Sequence, residues 1–200
     1  MRNVFDNGLS ERETVELTHA MLHSGTVLEW PEEWKHLVVD KHSTGGIGDK
    51  VSLILAPALA ACGLKCPMIA GRGLAHTGGP LDKLESLQGY DVSVTPEQAS
   101  KMVHMIGCMI GGQTGEIAPA DKRMYAIRDV TGLIASTPLI TGSILSKKAA
   151  EGLAALVMDI KVGRAAFMQT LDEARVLAKS IVTTGNGLGI STRVTLTEMD

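Results

Sequence analysis

Between the apolar run His36-Leu37-Val38-Val39-Asp40 and the apolar run Val51-Ser52-Leu53-Ile54-Leu55-Ala56 lies Lys41-His42-Ser43-Thr44-Gly45-Gly46-Ile47-Gly48-Asp49-Lys50. The first run has the length of a buried strand, and the second reads as the start of a helix. A strand, a glycine-rich turn and a helix in that order form an anion cradle. Glycine lets the backbone approach a ligand and reach positive φ. A helix N-terminus offers free N–H groups and a partial positive charge. Lys41 adds a full charge, Ser43 and Thr44 add hydroxyl donors, and His42 can exchange a proton near neutral pH. The stretch is neither a Walker loop, because the lysine precedes the glycines, nor a G-x-G-x-x-G turn. The plainer reading is a tight turn with a solvated lysine and a histidine satisfied by a backbone carbonyl.

The rest of the chain repeats that rhythm. Strands are expected at Leu37–Asp40, Cys66–Ala70, Asp91–Val94, Cys108–Gly111, Ala154–Lys161 and Ser191–Thr197. Helices are expected at Val51–Cys62, at Pro80–Leu87, after the Thr95-Pro96-Glu97-Gln98 cap and after the Thr170-x-x-Glu173 cap. A second glycine-rich loop, Gly71-Arg72-Gly73-Leu74-Ala75-His76-Thr77-Gly78-Gly79, follows the Cys66–Ala70 strand. Strand–helix alternation of this kind predicts an α/β fold, a mostly parallel sheet with flanking helices and ligands at the strand C-terminal ends.

Two segments break the rhythm and predict a small all-helical lobe. Ser10-x-x-Glu13 is a capping box opening an amphipathic helix that Gly25 can end. Helices at Pro119–Asp129 and from Thr137-Pro138 to Ala150 follow one another with no strand between them. The predicted division is therefore 1–25 and 117–152 in the helical lobe, and 37–111 and 154–200 in the α/β lobe. The chain starts on a helix and stops on a strand that needs cover on its faces, so a fragment is expected.

The 200 residues hold 3% aromatics, so the core must be aliphatic, with ten methionines as fillers. The net charge of −3, with no basic cluster, argues against a nucleic-acid surface. Cys62, Cys66 and Cys108 form no CxxC pair and leave an odd count, which predicts buried thiols in a reducing compartment, without a disulfide frame or a metal site. The N-terminus lacks an apolar signal segment. The longest apolar run, Val51 to Leu64, is too short and broken to span a bilayer. A cytoplasmic location is expected.

Ser143 and Lys147 are four residues apart on one helix and so share a face. With Arg128 on the preceding helix they suit a polar ring with carbonyl acceptors. The plainer reading is a solvated helix face, with Lys147-Lys148 as surface charge.

Taken together, Asp40-Lys41-His42-Ser43-Thr44-Gly45-Gly46, the second glycine-rich loop with Leu81-Asp82-Lys83-Leu84-Glu85, Tyr125-Ala126-Ile127-Arg128-Asp129, Pro138–Lys148 and Val157-Met158-Asp159-Ile160-Lys161-Val162-Gly163 closely resemble the thymidine phosphorylase / pyrimidine-nucleoside phosphorylase family. The resemblance covers the front and middle of a family chain. It implies reversible phosphorolysis of a pyrimidine nucleoside, thymidine first, to free base and a pentose 1-phosphate. It also implies a homodimer, with inorganic phosphate as co-substrate and no cofactor. By the same resemblance Lys41, Ser43 and Thr44 bind phosphate, His42, Arg128, Ser143 and Lys147 bind the pyrimidine, and His42, Arg128 and Lys147 are catalytic.

The chain departs from the pattern where the family has two phosphate-binding hydroxyls, a serine before Gly71 and a threonine after Gly79. Here Ala70 and Pro80 stand there, which predicts weakened phosphate binding. Gly132-Leu133-Ile134-Ala135 replaces a Thr-Val-acidic stretch, and Arg164 stands where the family usually has a small residue. The rival expectation is a non-catalytic pyrimidine-binding or growth-factor-like homologue. The sister anthranilate phosphoribosyltransferase fold is a weaker one, because Arg128, Ser143 and Lys147 match the nucleoside enzymes.

Overall fold

The structure is a computed structural model; it describes residues 1–72, 78–133 and 135–200, and only the backbone of Asp129. Two helices open the chain, α1 (Arg2–Asn7) and α2 (Glu11–Leu22). The Ser10–Glu13 capping box forms as expected, with the Ser10 hydroxyl accepting from the Glu13 amide and the Glu13 carboxylate accepting from the Ser10 amide. A 3-10 turn at Glu32–Leu37 fills the connection to β1 (Val39–Ser43). It displaces the start of the strand expected at Leu37, so Lys41, His42 and Ser43 lie on the strand and not in the turn. Next come α3 (Val51–Ala61), β2 (Cys66–Ala70) and α4 (Pro80–Leu84), the last ending short of the expected Leu87.

The segment from Asp91 to Val94 is not a strand. Val94 N–H turns back to the Val92 carbonyl at 3.1 Å, and that same carbonyl accepts from Gly112 N–H at 2.7 Å, so the segment laces to its neighbour without a ladder. Then follow α5 (Pro96–Ile106), β3 (Cys108–Gly112), α6 (Pro119–Thr131), α7 (Thr137–Ala150), β4 (Ala155–Val162), α8 (Leu171–Gly187) and β5 (Ser191–Glu198).

All strand pairs among the described residues are parallel: β1–β4–β5 form one ladder and β2–β3 another. The two ladders meet at one end only. There Val39 N–H donates to the Lys65 carbonyl at 2.8 Å and Lys65 N–H to the Leu37 carbonyl at 3.0 Å. Further along, β1 and β2 exchange no ladder bonds. The parallel α/β architecture expected from the alternation is thus present, with a seam in the sheet.

The core is aliphatic, as the composition requires. One buried cluster runs from Leu22 through Leu145, Ala149 and Ala150 of α7 to Leu156, Met158 and Ile160 of β4, and on to Leu177 and Ile181 of α8. A second lies between α3 and the β2–β3 pair, around Ala56, Met68, Leu81 and Ile110. All three cysteines are free. Cys66 is buried and Cys108 half-buried, but Cys62 is exposed, against the expectation of three buried thiols, because it is the residue at which α3 runs out into solvent.

Candidate active site

The last three residues of β1 are Lys41, His42 and Ser43, opposite Val157, Met158 and Asp159 of β4. This places them at the strand C-terminal end, where a parallel sheet presents its ligands. Beyond them Gly45 and Gly48 take φ of 81° and 82°, so the chain folds over the strand end in a conformation side-chain-bearing residues avoid. The turn is held from both sides. Thr44 N–H donates to the Asp159 carbonyl at 3.1 Å, Lys161 N–H donates to Thr44 Oγ1 at 3.0 Å, and Gly45 N–H donates to Ser43 Oγ at 3.1 Å.

Lys41 is only 6% exposed, and its ammonium has no hydrogen-bond partner among the described residues. The nearest carboxylates, Asp49 and Asp159, are each 3.9 Å away. Asp159 is already engaged by Lys161 Nζ at 2.7 Å and by Thr197 Oγ1 at 2.5 Å. Burial pulls Lys41 below the ordinary lysine value, and the charges of Asp49 and Asp159 oppose that pull. An ammonium stripped of water and left without an acceptor is costly, and an oxyanion is the ligand that would satisfy it. The solvated lysine of the plainer reading is not what the structure contains.

His42 is half-buried. Loss of solvent, then the positive charges of Lys148, Lys147 and Lys41, hold its imidazole well below the usual histidine value. The ring is therefore neutral at pH 7, able to donate from one nitrogen and accept at the other.

α6 and α7 supply the facing groups. Lys147 Nζ donates to Asp121 Oδ2, to the Ser143 carbonyl and, at 3.1 Å, to Ser143 Oγ. The shared face expected for Ser143 and Lys147 is therefore a direct contact. Arg128 is 3% exposed and spends donors on the backbone, Nε on the Leu133 carbonyl at 3.2 Å and Nη1 on the Leu139 carbonyl at 3.0 Å. Its guanidinium carbon also lies 5.8 Å from the centre of the Tyr125 ring. Burial lowers Arg128, and the negative charge of Asp121 works the other way.

Lys148 does something the sequence reading missed. It is fully buried, not surface charge. Its ammonium enters the seam between β1 and β2, where it donates to the carboxylates of Asp40 and Glu151 and, at 2.8 Å, to the Ile69 carbonyl. Glu151 Oε1 accepts from the Ile69 amide at 2.9 Å. The C-terminal turn of α7 thus supplies the bonds that a neighbouring strand would otherwise give Ile69. Burial and the neighbouring Asp40 charge raise the Glu151 carboxyl well above the carboxylate range, and the Lys148 charge opposes them.

The structure thus brings His42 of β1 and Lys147 of α7 within electrostatic reach of one another, and Lys147 within reach of Arg128. The core of the second glycine-rich loop, residues 73–77, lies outside the described residues, as does Ile134 of the Gly132–Ala135 stretch. At the foot of that loop Arg72 donates to Glu85 at 2.5 and 2.7 Å and to Asp82 at 3.2 Å, and at its far end Asp82 accepts from the Gly79 amide at 2.6 Å. Ala70 ends β2 opposite Gly112, and Pro80 is the first residue of α4. Cavities of about 680 Å³, beside Trp30 and His36, and about 410 Å³, beside Tyr90 and Lys101, open elsewhere.

Sequence reasoning also passed over Asp121, and gave Asp159 and Lys161 no role beyond their place in the Val157–Gly163 motif. The signal for Asp159 and Lys161 was charge inside an otherwise apolar strand, Val157-Met158-Asp159-Ile160-Lys161-Val162. Among the described residues no group of three His, Cys, Asp or Glu side chains could hold a metal, and no helix is long and apolar enough to cross a membrane.

A sequence model described as "Glycosyl transferase family, a/b domain" matches residues 35–200. The chain is 57% identical to the thymidine phosphorylase of Agrobacterium fabrum over 98% of its own length and 45% of that protein's. It is 56% identical to the thymidine phosphorylase of Homo sapiens over 96% of its length and 40% of that protein's. It therefore spans less than half the length of the curated relatives it matches. Among solved structures, the anthranilate phosphoribosyltransferase of Thermus thermophilus superimposes with a TM-score of 0.67 at 18% identity, covering 94% of this chain and 57% of that one. At that identity the likeness is one of fold.

Proposed function

Because the chain belongs to the glycosyl transferase family through its a/b domain, we propose that it carries the phosphate and base sites of a pyrimidine-nucleoside phosphorylase, acting on thymidine first. The observation that carries this reading is the pairing of two cationic sites: the buried Lys41 ammonium, without a hydrogen-bond partner among the described residues beside the glycine turn, and Lys147, held on Asp121 and Ser143 next to buried Arg128. The identity to thymidine phosphorylases over nearly the whole chain supports it.

In this reading phosphate, held by Lys41, Ser43 and Thr44, forms a bond to the anomeric carbon as the glycosidic bond to the pyrimidine nitrogen breaks. The electron pair of that bond leaves with the base. Arg128 and Lys147 stabilise the charge as it develops on the ring carbonyls, and neutral His42 donates a hydrogen bond to it. Positioning supplies much of the remaining acceleration. The reading carries with it the two-lobe division, 1–25 with 117–152 and 37–111 with 154–200, whose closure would bring the sites together and exclude water. It also carries a homodimer in the cytoplasm, with phosphate as co-substrate and no cofactor. The test is release of thymine from thymidine, or uracil from uridine, with and without inorganic phosphate, followed by chromatography. Phosphate-dependent base release is the expected result, and base release indifferent to phosphate, or none, rejects the reading.

A further inference from the structure

Lys147 sits where a lysine does not easily stay charged. Removal from solvent pulls it below the ordinary lysine value, and the neighbouring charges of Lys148 on its own helix and Arg128 on α6 pull the same way. His42, the titratable group facing it from β1, is neutral and gives no counter-charge. Among the described residues the one opposing group is Asp121.

Asp121 is in the first turn of α6, where the helix N-terminus favours a carboxylate, and it is 2% exposed. One carboxylate oxygen, Oδ2, receives the Lys147 ammonium, and the other, Oδ1, is buried and has no partner among the described residues. The Lys147 ammonium is thereby held between α6 and its own helix, with Ser143 as the other anchor. A charge buried with one ionic partner depends on that partner, since removing it leaves an uncompensated ion.

We propose that Asp121 is a positioning residue for Lys147: its carboxylate fixes the ammonium against Ser143 and supplies the counter-charge that keeps it a cation. The inference concerns the base site of the function proposed above and rests on that reading for its catalytic meaning. A neutral amine at position 147 has lost the charge that would meet a departing pyrimidine anion. Asp121 therefore acts on the reaction through Lys147.

The test reads Lys147 itself, so it does not depend on nucleoside turnover. In the Asp121→Asn variant the uncharged amine fraction at Lys147 should rise by about tenfold or more, one pKa unit being a tenfold change in that fraction. Acylation by an amine-reactive ester at pH 8, mapped by mass spectrometry, should increase at Lys147 and stay level at exposed Lys122, with Asp121→Glu returning it towards the parent rate. Unchanged Lys147 labelling in a folded Asp121→Asn protein overturns the proposal. The parent chain gives a second reading should that variant not fold. The Lys147 ammonium resonance should be slow to exchange and should show a correlation across the hydrogen bond to the Asp121 carboxyl carbon; a fast-exchanging ammonium with no such correlation also overturns it. If the chain proves to cleave nucleosides, Asp121→Asn should lower kcat more than it raises KM and move the alkaline limb of the rate profile to lower pH. If Lys147 responds but no nucleoside is cleaved, the pairing stands and the proposed function fails.

Discussion

Lys148 Nζ donates to the Ile69 carbonyl at 2.8 Å, so a helix side chain closes a bond that belongs to the sheet ladder. The ammonium lies between Asp40 and Glu151, all fully buried, in the seam where β1 and β2 part. Replacing Lys148 by Met keeps most of the volume and removes the charge, leaving Asp40 buried without a cation and Ile69 with an open carbonyl. Loss of one partner of a buried pair costs about 3–5 kcal/mol. A urea unfolding series should show a midpoint lowered to match, with little change in slope. A variant as stable as the parent would remove the seam from the account of the fold.

Glu151 offers a test with the opposite expectation. Its carboxyl is raised in the folded chain well above 4.5, the value of the same group once exposed. The folded state therefore binds more protons above that pH, and stability falls as pH rises from about 4.5 towards the raised folded value. The slope from this group is about 1.4 kcal/mol per pH unit. Glu151→Gln keeps the neutral shape and cannot ionise in either state. Its stability should match the parent near pH 4.5 and exceed it at pH 7, as measured by thermal unfolding across that range.

That seam marks where the sequence stopped being readable. Strand–helix alternation, the Ser10, Thr95 and Thr170 capping boxes and the i, i+4 spacing of Ser143 and Lys147 are local patterns, and the structure carries each of them. Lys148 is adjacent to Lys147 and chemically identical to it, yet one faces the candidate base site and the other the sheet. Nothing local distinguishes them, because the partner Asp40 lies 108 residues away. The Asp91–Val94 segment failed for a related reason. Its alternation suits a strand, but which of its amides find a neighbouring ladder is settled by tertiary contacts. Asp121 was legible in principle, as an acidic residue in the first turn of a helix, although that position alone is more often only a favourable charge at the dipole.

His42 should remain neutral well below the pH at which a free histidine protonates. Its folded value is depressed from 6.5, so any stability this group contributes is present above 6.5 and is lost as pH falls below it. Imidazole nitrogen shifts followed by NMR should stay flat from pH 8 down to about 6. The cations acting on it are Lys148 and Lys147 on α7 and Lys41 on its own strand. Lys147→Met removes one of them and should move the titration of His42 upward, whereas a midpoint near 6.5 in the parent chain would contradict the electrostatic account.

Ala70 and Pro80 bracket the second glycine-rich loop without offering a hydroxyl to an anion. A hydrogen bond to a charged group contributes about 1.5–3 kcal/mol, or roughly tenfold to a hundredfold in affinity. Ala70→Ser and Pro80→Thr should each tighten phosphate binding by an amount in that range, read by calorimetric titration with inorganic phosphate. The Pro80 change also returns a backbone N–H to the first position of α4, an added donor at a helix N-terminus. No gain from either change would separate these positions from the anion site.

Two helical glycines should respond to alanine in opposite ways. A Cβ on Gly142 of α7 would meet Thr18 Oγ1 at 3.4 Å and Met21 Sδ at 3.5 Å, ordinary contact distances across the α2–α7 interface. Gly142→Ala should therefore be neutral or stabilising, since alanine is favoured over glycine in a helix by about 1 kcal/mol. A Cβ on Gly185 of α8 would lie 2.2 Å from Thr192 Oγ1 and 2.9 Å from Thr192 Cβ, in the space where the helix passes the start of β5. Thr192 cannot swing aside freely, because its hydroxyl donates to the Ile190 carbonyl at 2.9 Å and its amide to Asn186 Oδ1 at 3.1 Å. Gly185→Ala must push α8 from the sheet, and overpacking of this kind costs about 1–3 kcal/mol. Thr192→Ala removes the nearest atom, so the Gly185→Ala cost should shrink in that background, a coupling that a double-mutant cycle in urea would measure.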